Sequence, residues 1–237
     1  MFENLKVFLG CPCTEFPAGT PVKEIMEAYQ SAKARSVKES FVPLLISAED
    51  WEDAAISREK SPAVYLEELR AAEVPEGKAY FQQRIAYWKE SAEEDGYSWP
   101  DETVLGPMEG GEAIDRFLGI TDYRNKTIPL VLAEIPAEHP WEVFAWMPFG
   151  GWNECPSDEE QMAVAKYWFE QYGAVPAVLT RSVLEYDLPA PVSREQAMEL
   201  AMEQYALCPD IVDQGCENVG YLADSLSKST KWFFWWD

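Results

Sequence analysis

The chain has 237 residues, of which 47% are hydrophobic and 14% aromatic, and its 42 Asp and Glu residues outnumber 19 Lys and Arg residues. This apolar content can form the core of one large domain or two small ones, which excludes global disorder as the explanation of the charge. The formal net charge of −23, without any stretch rich in Lys and Arg, excludes direct nucleic-acid binding through a phosphate-contacting surface.

The longest apolar runs have the length of strands. Residues 41–46 and 128–133 are examples, and both are far shorter than the ~20 residues that a membrane helix needs. We therefore expect no membrane partner, and the acidic charge would also be repelled by anionic lipid surfaces. Glu3 and the short apolar stretch after it do not fit a secretory signal, so the sequence predicts a cytoplasmic protein.

Cysteine and histidine usage argues against two familiar kinds of site. Five cysteines, an odd number, predict free thiols rather than a disulfide framework. Cys11 and Cys13 are separated by one residue, whereas zinc ligands normally have two to four residues between them, so we expect no metal there. The single histidine, His139, has no nucleophile motif near it, which argues against Ser-His-Asp or Cys-His catalysis.

The first half of the chain predicts several helices and one strand. Residues 41–46 form an apolar, strand-length run, in which Pro43 favours an edge or a bulge. The most regular helix covers about residues 76–94, because its apolar residues recur at helical spacing, and Gly96 ends it. The helix start signals, in chain order, are Thr20-Pro21, Ser47 with Asp50, and Ser61-Pro62.

A stretch rich in Gly, Pro and Asp, residues 97–126, separates the two halves of the sequence. Only one short helix, near residues 112–118 and closed by Gly119, is predicted inside it. We therefore predict a helix-rich α/β region over residues 1–125 and a C-terminal α/β domain over residues 126–237.

The second half alternates predicted strands and helices. Strands are expected at residues 128–135, 175–180 and 183–188, the last two close enough for a hairpin. Capping patterns at Ser157 with Glu160 and at Ser193 with Gln196 begin two helices, and Gly173 ends the first of them. Residues 139–148 fit a strand or a short helix equally well. A last helix is expected near residues 218–226.

Five consecutive aromatic residues, 232–236, end the chain just before Asp237. Consecutive aromatics cannot alternate between a buried and a solvated face, so the pattern predicts a strand covered on both faces, in the centre of a sheet. An aromatic platform for a ligand is the alternative. The predicted fold class is α/β, a mixed sheet with helices on both faces and the aromatic C-terminal strand central. An α+β arrangement is the alternative that the pattern leaves open.

Residues 149–156 and 208–216 concentrate unusual residue types next to predicted helix ends. Asp210 and Asp213 are three positions apart, so on a helical turn both carboxylates would face one ligand or one hard cation. A structural interpretation stays open, because a carboxylate after Pro209 at a helix start also interacts favourably with the helix dipole.

Neighbouring polar and aromatic side chains complete this candidate site. Asn153 and Gln214 would supply neutral hydrogen bonds, and Trp152 a flat apolar wall. The predicted ligand-binding residues are therefore Trp152, Asn153, Asp210, Asp213 and Gln214.

Some of these segments resemble a known family. The segments are residues 151–156, Tyr167-Trp168 with residues 172–174, residues 208–215, and the terminal Trp235-Trp236-Asp237. They resemble an uncharacterised bacterial family, domain of unknown function 4253, over about residues 128–237. The resemblance implies a bacterial cytoplasmic protein with a unitary C-terminal domain. The family has no established activity, so the resemblance implies no catalytic residue.

Three functional hypotheses follow. The first is a non-enzymatic binding protein whose acidic surface engages a basic protein, in the manner of bacterial immunity proteins; this link is analogy alone. The second is a small-molecule hydrolase or transferase that uses Asp210 and Asp213, with or without Mg²⁺. The third is a ligand-binding module without turnover. No resident cofactor is expected, and Mg²⁺ would serve only the second hypothesis.

Overall fold

The structure, a computed structural model, describes residues 1–52 and 58–236. Its centre is a six-stranded sheet with the order β1-β3-β2-β4-β5-β6. The strands are β1 (Cys13–Phe16), β2 (Val42–Ser47), β3 (Leu130–Ile135), β4 (Val175–Leu179), β5 (Val183–Asp187) and β6 (Lys231–Trp235).

The sheet is mixed. β2 and β4 are parallel, and every other neighbouring pair of these six strands is antiparallel. β2 therefore lies between β3 and β4, and the carboxyl ends of β2 and β4 point to the same edge of the sheet. The predicted division between residues 125 and 126 stays a prediction, and it passes through one hydrogen-bonded sheet, because β1 and β2 precede it and the other four strands follow it.

Eight α-helices and two other helical turns occur in the described residues. The α-helices are α1 (Phe2–Leu9), α2 (Val22–Glu39), α3 (Pro62–Ala71), α4 (Lys78–Glu94), α5 (Glu102–Leu105), α6 (Asp158–Tyr172), α7 (Arg194–Leu207) and α8 (Val219–Leu226). A 3₁₀ helix covers Pro140–Ala145, and a π-helical turn covers Ile211–Cys216. Residues 1–52 and 58–236 contain no helix that is long and apolar enough to cross a membrane.

Most of the core lies on one face of the sheet, where α3, α4, α6, α7 and α8 pack. Trp168 of α6 is fully buried at its centre. Its ring stacks on Phe81 of α4 at 5.5 Å and on Phe234 of β6 at 5.3 Å, measured between ring centroids. The indole N–H of Trp168 donates to Glu203, 3.1 Å away, which satisfies the polar atom of this buried ring.

The second face of the sheet is covered by α2. Ile25 and Tyr29 of this helix are buried against Leu45 and Leu132. The predictions of a mixed α/β sheet and of helices on both of its faces are therefore confirmed.

A buried charge cluster links α2 to the sheet. Asp187 of β5 is 3% exposed and accepts hydrogen bonds from Lys33 at 2.6 Å and from the Tyr29 hydroxyl at 3.2 Å. Lys231 of β6 lies 2.9 Å from the other carboxylate oxygen of Asp187. Because each buried charge has partners of opposite sign, the cluster fixes the position of α2 over the sheet without leaving a bare charge.

The central position predicted for the aromatic strand is wrong, because β6 lies at the edge of the sheet. Trp232 and Phe234 are buried on the large-core face, whereas Phe233 and Trp235 on the other face are half-buried. The backbone beside the strand is also covered, because the N–H groups of Thr230 and Lys231 donate to the carbonyl of Ile114. An edge strand can therefore be aromatic throughout when a loop, rather than a further strand, shields it.

Three local predictions need correction or completion. Residues 112–118 form no helix, because their polar groups bond instead to α8 and the strand after it, as when Ile114 N–H donates to Ser229. Residues 139–148, left undecided by the sequence, contain the 3₁₀ helix. A helix was also expected to begin at Ser47. Trp51 and Glu52 are helical, and residues 53–57 lie outside the described part of the chain.

Deleting residues 232–237 should abolish cooperative unfolding. Replacing a buried large aromatic residue by Ala costs roughly 3–5 kcal/mol against a total stability near 5–15 kcal/mol, and the deletion removes several such side chains. As a milder test, Phe234→Ala should lower the free energy of unfolding by roughly 3–5 kcal/mol. Phe169→Ala is the matched control, because Phe169 is 36% exposed. Equal losses in the two variants, measured by urea denaturation, would show that β6 does not contribute to the core.

Glu185 should make stability fall as pH rises. Burial raises the pKa of Glu185 to about 7, although the N–H groups of Leu118 and Gly119 and the charge of Lys231 lower it. The folded protein therefore holds this proton between about pH 4.5 and 7 while the unfolded chain has lost it. Relative to wild type, Glu185→Gln should gain up to about 3 kcal/mol between pH 5 and 8, as measured by chemical denaturation.

The test is how the stability difference between Glu185→Gln and wild type changes with pH. The size of that difference at a single pH is not informative, because the amide of Gln also disturbs the two backbone N–H contacts at every pH. Glu24→Gln on the exposed side of α2 is the control and should show no such change. A stability difference for Glu185→Gln that stays constant from pH 5 to 8 would contradict the raised pKa.

Candidate functional site

A cavity of about 680 Å³ lies at the carboxyl ends of the two parallel strands β2 and β4. We call it the sheet-end cavity. Such strand ends are where open α/β sheets commonly bind ligands, and the volume is typical of small-molecule sites. Its lining comes from residues after β2, residues after β4, the loop at 147–153 and the end of β6. Those that carry polar groups or large rings are Ser47, Glu49, Asp50, Trp51, Phe149, Trp152, Asn153, Thr180, Arg181, Ser182, Trp235 and Trp236.

The loop that supplies Trp152 and Asn153 is held by close backbone contacts. Gly150 has a φ of 127°, and a Cβ atom there would lie 1.7 Å from the carbonyl oxygen of Pro156, so only glycine fits. The N–H of Gly151 donates back to the carbonyls of Cys155 and Pro156. Phe149 N–H donates to the buried carboxylate of Asp158 at 2.5 Å. These contacts fix the cavity wall in place.

One wall of the cavity consists of aromatic rings. The Phe149 ring lies 5.2 Å from Trp152 and 5.6 Å from Trp236, both in edge-to-face geometry. Trp51 is 7% and Trp236 1% exposed, and among residues 1–52 and 58–236 the buried indole nitrogen of each has no hydrogen-bond partner. Both nitrogens are closed to solvent, so these two residues contribute ring surface to the cavity wall rather than accessible donors.

A second cavity of about 500 Å³ lies among α3, α6 and the 3₁₀ helix. His139 lines it and stacks on Trp141 with ring centroids 4.4 Å apart. Some charged side chains of its lining are used in ion pairs, as Arg70 is with Glu142 at 2.5 Å and Lys166 with Glu76 at 3.4 Å. These contacts join helices to one another, which favours a structural role for this cavity.

The predicted site residues occupy two places. Trp152 and Asn153 line the sheet-end cavity, and its lining does not include the other three. Asp210, Asp213 and Gln214 lie at or on the π-helical turn that follows α7. Whether these five residues bind a ligand together stays a prediction.

Each of the two aspartates accepts a hydrogen bond from a neighbouring side chain. The Tyr205 hydroxyl donates to Asp213 at 2.7 Å, and the Gln214 amide donates to Asp210 at 2.7 Å. Partial burial and the nearby charge of Asp210 raise the pKa of Asp213, whereas the Tyr205 hydrogen bond lowers it. Within residues 1–52 and 58–236, no group of three or more His, Cys, Asp or Glu side chains is arranged to hold a metal ion.

Sequence reasoning missed the residues that follow β2 and β4, chiefly Trp51 and residues 180–182. The available signal was that two apolar strands end in polar residues, Ser47 and Thr180. That signal needs the knowledge that the strands are parallel neighbours, and an antiparallel arrangement would place the two ends at opposite edges of the sheet. The sequence contains no direct mark of that pairing.

The family comparison agrees with the resemblance seen in the sequence. Residues 131–237 match the model of a Domain of unknown function (DUF4253). The C-terminal part of the chain is therefore similar to this family over the matched residues. No curated protein and no solved structure matches the chain. The matched DUF4253 segment contains the loop with Trp152 and the π-helical turn, but it begins inside β3 and leaves out β2 with the cavity residues that follow it.

The five cysteines are free, and Cys155 and Cys208 are buried whereas the other three are half-buried. A hydrogen bond from the Cys11 thiol and the charge of Lys6 lower the pKa of Cys13, against the opposing effect of burial. Burial raises the pKa of Cys208 to about 12 and also raises that of Cys155. Because the thiolate is the reactive form, we expect Cys13 to react fastest of the five.

Iodoacetamide at pH 8 should therefore alkylate Cys13 first and leave Cys155 and Cys208 unmodified while the protein is folded. Peptide mass spectrometry after timed quenching measures the order, and a Cys13→Ser variant identifies the fast-reacting site. After denaturation without reductant, all five thiols should be labelled. Labelling of Cys208 as fast as Cys13 in the native protein would contradict the assigned pKa order.

Proposed function

We propose that the protein is a binding protein whose ligand is a basic protein, engaged through an acidic and aromatic surface at the end of α4. This acidic–aromatic face consists of Tyr87, Trp88, Glu90, Glu94, Asp95, Tyr97, Trp99, Tyr205 and Asp213. The observation that carries the proposal is the placement of two largely exposed tyrosines among these acids: Tyr87 is 51% and Tyr97 58% exposed.

The charge of this region is one-sided. Residues 85–115 contain nine acidic residues and one basic residue, Lys89. The acids at the end of α4 are exposed, so their field reaches into solvent. A concentrated negative field accelerates encounter with a positively charged partner and repels an acidic one. This local excess supports a basic partner more specifically than the net charge of the whole chain does.

The aromatic residues of the face are held by the fold. The Trp88 indole N–H donates to the carbonyl of Ala206 at 2.9 Å, and Trp99 stacks on Tyr205 with ring centroids 4.8 Å apart. Tyr87 lies against Trp88 at 5.2 Å. Rigid aromatic anchors lose little conformational entropy on binding, and Tyr and Trp are the commonest energetic centres of protein interfaces. The face thus combines anchoring rings with steering charges.

Asp213 links this face to the predicted site. Its carboxylate accepts from Tyr205, whose ring supports Trp99, so Asp213 lies within the same surface. The likeness to immunity proteins remains an analogy that rests on the acidic surface alone. The cytoplasmic location expected from the sequence is part of this proposal, and so is a bacterial source.

The hydrolase or transferase hypothesis has one supporting observation. Asp210 and Asp213 interact, and the pKa of Asp213 is raised, which is an arrangement that acid–base catalysis uses. Neither residue lines the sheet-end cavity or the cavity beside α6. A general acid or base needs a substrate beside it, so these carboxylates support the binding surface better than they support turnover.

Charge reversal on the face tests the proposal. The triple variant Glu90→Lys, Glu94→Lys, Asp95→Lys should lose capture of basic proteins from an extract of the source cells, as measured by quantitative mass spectrometry against wild type. The control reverses three exposed acids of α2, Glu24→Lys, Glu27→Lys and Glu39→Lys, and should keep that capture. The two variants have the same net charge, so a difference between them reports the face and not the total charge.

The aromatic contribution is tested with single variants. Tyr97→Ala should weaken binding of the captured protein by at least tenfold in calorimetry, as expected when an interface anchor is truncated. Tyr123→Ala, at a site that is 85% exposed, should leave the affinity within twofold. If both triple variants keep or both lose the same proteins, the acidic–aromatic face is not the binding surface.

A further inference from the structure

Two cysteines at the start of β1 form a pair that is not part of the acidic–aromatic face. Cys11 and Cys13 are separated by one proline, and each is half-buried, so both are partly open to solvent. Cys13 is the first residue of β1 and pairs with Ala133, whereas Cys11 lies in the bend between α1 and the strand. Two adjacent thiols can form a disulfide, which a single thiol cannot do within one chain.

The two side chains contact each other. As a thiol, Cys13 donates to the carbonyl oxygen of Cys11 across 3.3 Å. As a thiolate, Cys13 accepts a hydrogen bond from the Cys11 thiol, which lowers the pKa of Cys13. The same hydrogen bond raises the pKa of Cys11, and burial raises it further. The pair therefore consists of a nucleophile and a protonated neighbour.

The charges around the pair are more acidic than basic. The Lys6 ammonium group of α1 favours the thiolate of Cys13, whereas Glu134 and Glu15 oppose it. Lys6 is itself held by Glu3 at 3.0 Å and by Glu15 at 2.7 Å. An anionic oxidant such as glutathione disulfide would meet these carboxylates and the net charge of −23. A small oxidant without charge meets no such repulsion.

A disulfide between the two cysteines is within reach. Residues two positions apart span at most about 7 Å between their Cα atoms, close to the usual upper limit of about 6.8 Å for a disulfide. The carbonyl of Pro12 accepts from the N–H of Glu134 at 2.9 Å, which holds the strand side of the pair in place. Cys11 precedes the strand pairing, so we expect the movement that closes the bridge to occur there.

The other three cysteines have the opposite character. Burial raises the pKa of Cys155, of Cys208 and of Cys216. Susceptibility to oxidation follows thiolate character and exposure, and redox-sensing cysteines often lie next to a second cysteine that resolves the first product. Cys13 combines a lowered pKa and partial exposure with such a neighbour, Cys11.

We propose that Cys11 and Cys13 are a redox site that reacts with a small uncharged peroxide and closes to a disulfide. The Cys13 thiolate attacks one oxygen of hydrogen peroxide, the O–O bond breaks, and Cys13 becomes a sulfenic acid. The other oxygen leaves as hydroxide and takes up the proton that Cys13 had lost, which gives water.

The second step uses Cys11. Its sulfur attacks the sulfur of Cys13, the S–O bond breaks, and the thiol proton of Cys11 leaves with the hydroxyl group as a second water. Two thiols are thus oxidised to one disulfide, while one peroxide molecule is reduced to two of water. A dithiol reductant reverses the reaction by thiol–disulfide exchange.

Limited oxidation tests the site. The native protein is treated with one equivalent of hydrogen peroxide, quenched with catalase, denatured and alkylated, and its cysteine peptides are measured by mass spectrometry. We expect a disulfide between Cys11 and Cys13 that dithiothreitol reverses, while Cys155, Cys208 and Cys216 stay available for alkylation. One equivalent of glutathione disulfide should form the same bridge at least tenfold more slowly.

Variants assign the two roles. Cys11→Ser should leave Cys13 as a sulfenic acid that dimedone traps, and Cys13→Ser should slow oxidation of Cys11 at least tenfold. Cys216→Ser, which removes another half-buried cysteine, is the matched control and should leave the rate of bridge formation within twofold. Lys6→Gln should move the pH profile of the rate upward, because it removes the cation that favours the thiolate. Thermal melts check that each variant is folded.

Three results would overturn the proposal. The first is oxidation of Cys13 to a sulfinic acid in the wild-type protein without a bridge to Cys11. The second is oxidation of Cys155, Cys208 or Cys216 before the pair. The third is a bridge that glutathione disulfide forms faster than hydrogen peroxide does, which would assign the site to disulfide exchange. None of the three bears on capture of basic proteins by the acidic–aromatic face.

Discussion

The hydrogen bonds between β2 and β4 join the sheet across its middle, and most of the structure depends on them. On one side of that contact, β1, β3 and β2 form an antiparallel group, and on the other side β4, β5 and β6 form a second one. The contact brings a strand from the first half of the chain between two strands of the second, so it can form only when residues more than 120 positions apart have met. It also places two chain turns side by side, and the sheet-end cavity is the space between them.

The aromatic core gives this long-range contact its stability. Trp168 is layered between Phe81 and Phe234, so one ring on α6 holds both α4 and the edge strand β6. Glu203 accepts from the Trp168 indole and the Tyr167 hydroxyl, so the core includes a carboxylate without leaving those donors unsatisfied. On the opposite face, Asp187 accepts a hydrogen bond from Tyr29 and forms ion pairs with Lys33 and Lys231, which holds α2 on the sheet. Each layer thus combines packed rings with a buried acid whose hydrogen bonds are satisfied.

Local chemistry made several of the helices predictable. Ser157 accepts from Glu160 N–H and Glu160 accepts from Ser157 N–H, as their spacing indicates, and Gly173 ends α6 in the left-handed conformation. At the start of α7, the Ser193 side chain accepts from Gln196 N–H, which the sequence also indicated. The order of the strands was not predictable, because an apolar run such as β2 has the same pattern in an edge or a central position. The aromatic end of the chain was misplaced for this reason: its pattern shows that both faces are covered, and a loop can cover one of them.

For the candidate site, too, local features were predictable from the sequence and long-range packing was not. Trp152 and Asn153 were identifiable from an unusual loop, and Asp210, Asp213 and Gln214 from an unusual turn, since each signal is local. That the loop belongs with residues after β2 and β4, while the turn belongs with Tyr205 and Trp99, depends on the packing of distant elements. A local sequence signal therefore identifies candidate residues, but it does not show which distant residues lie next to them in the folded protein.

The position of β2 has a consequence for how the chain can be divided into modules. The DUF4253 match begins within β3 and contains neither neighbour that β3 has in the sheet, since β1 and β2 both come earlier in the chain. A fragment cut to the matched residues would expose both edges of β3 and the inner edge of β4, which is a template for aggregation. The complementary fragment supplies the missing strand. A break in the connector at residues 97–126 therefore gives a pair of fragments for split-protein reassembly, in which β2 of one fragment must enter the gap between β3 and β4 of the other.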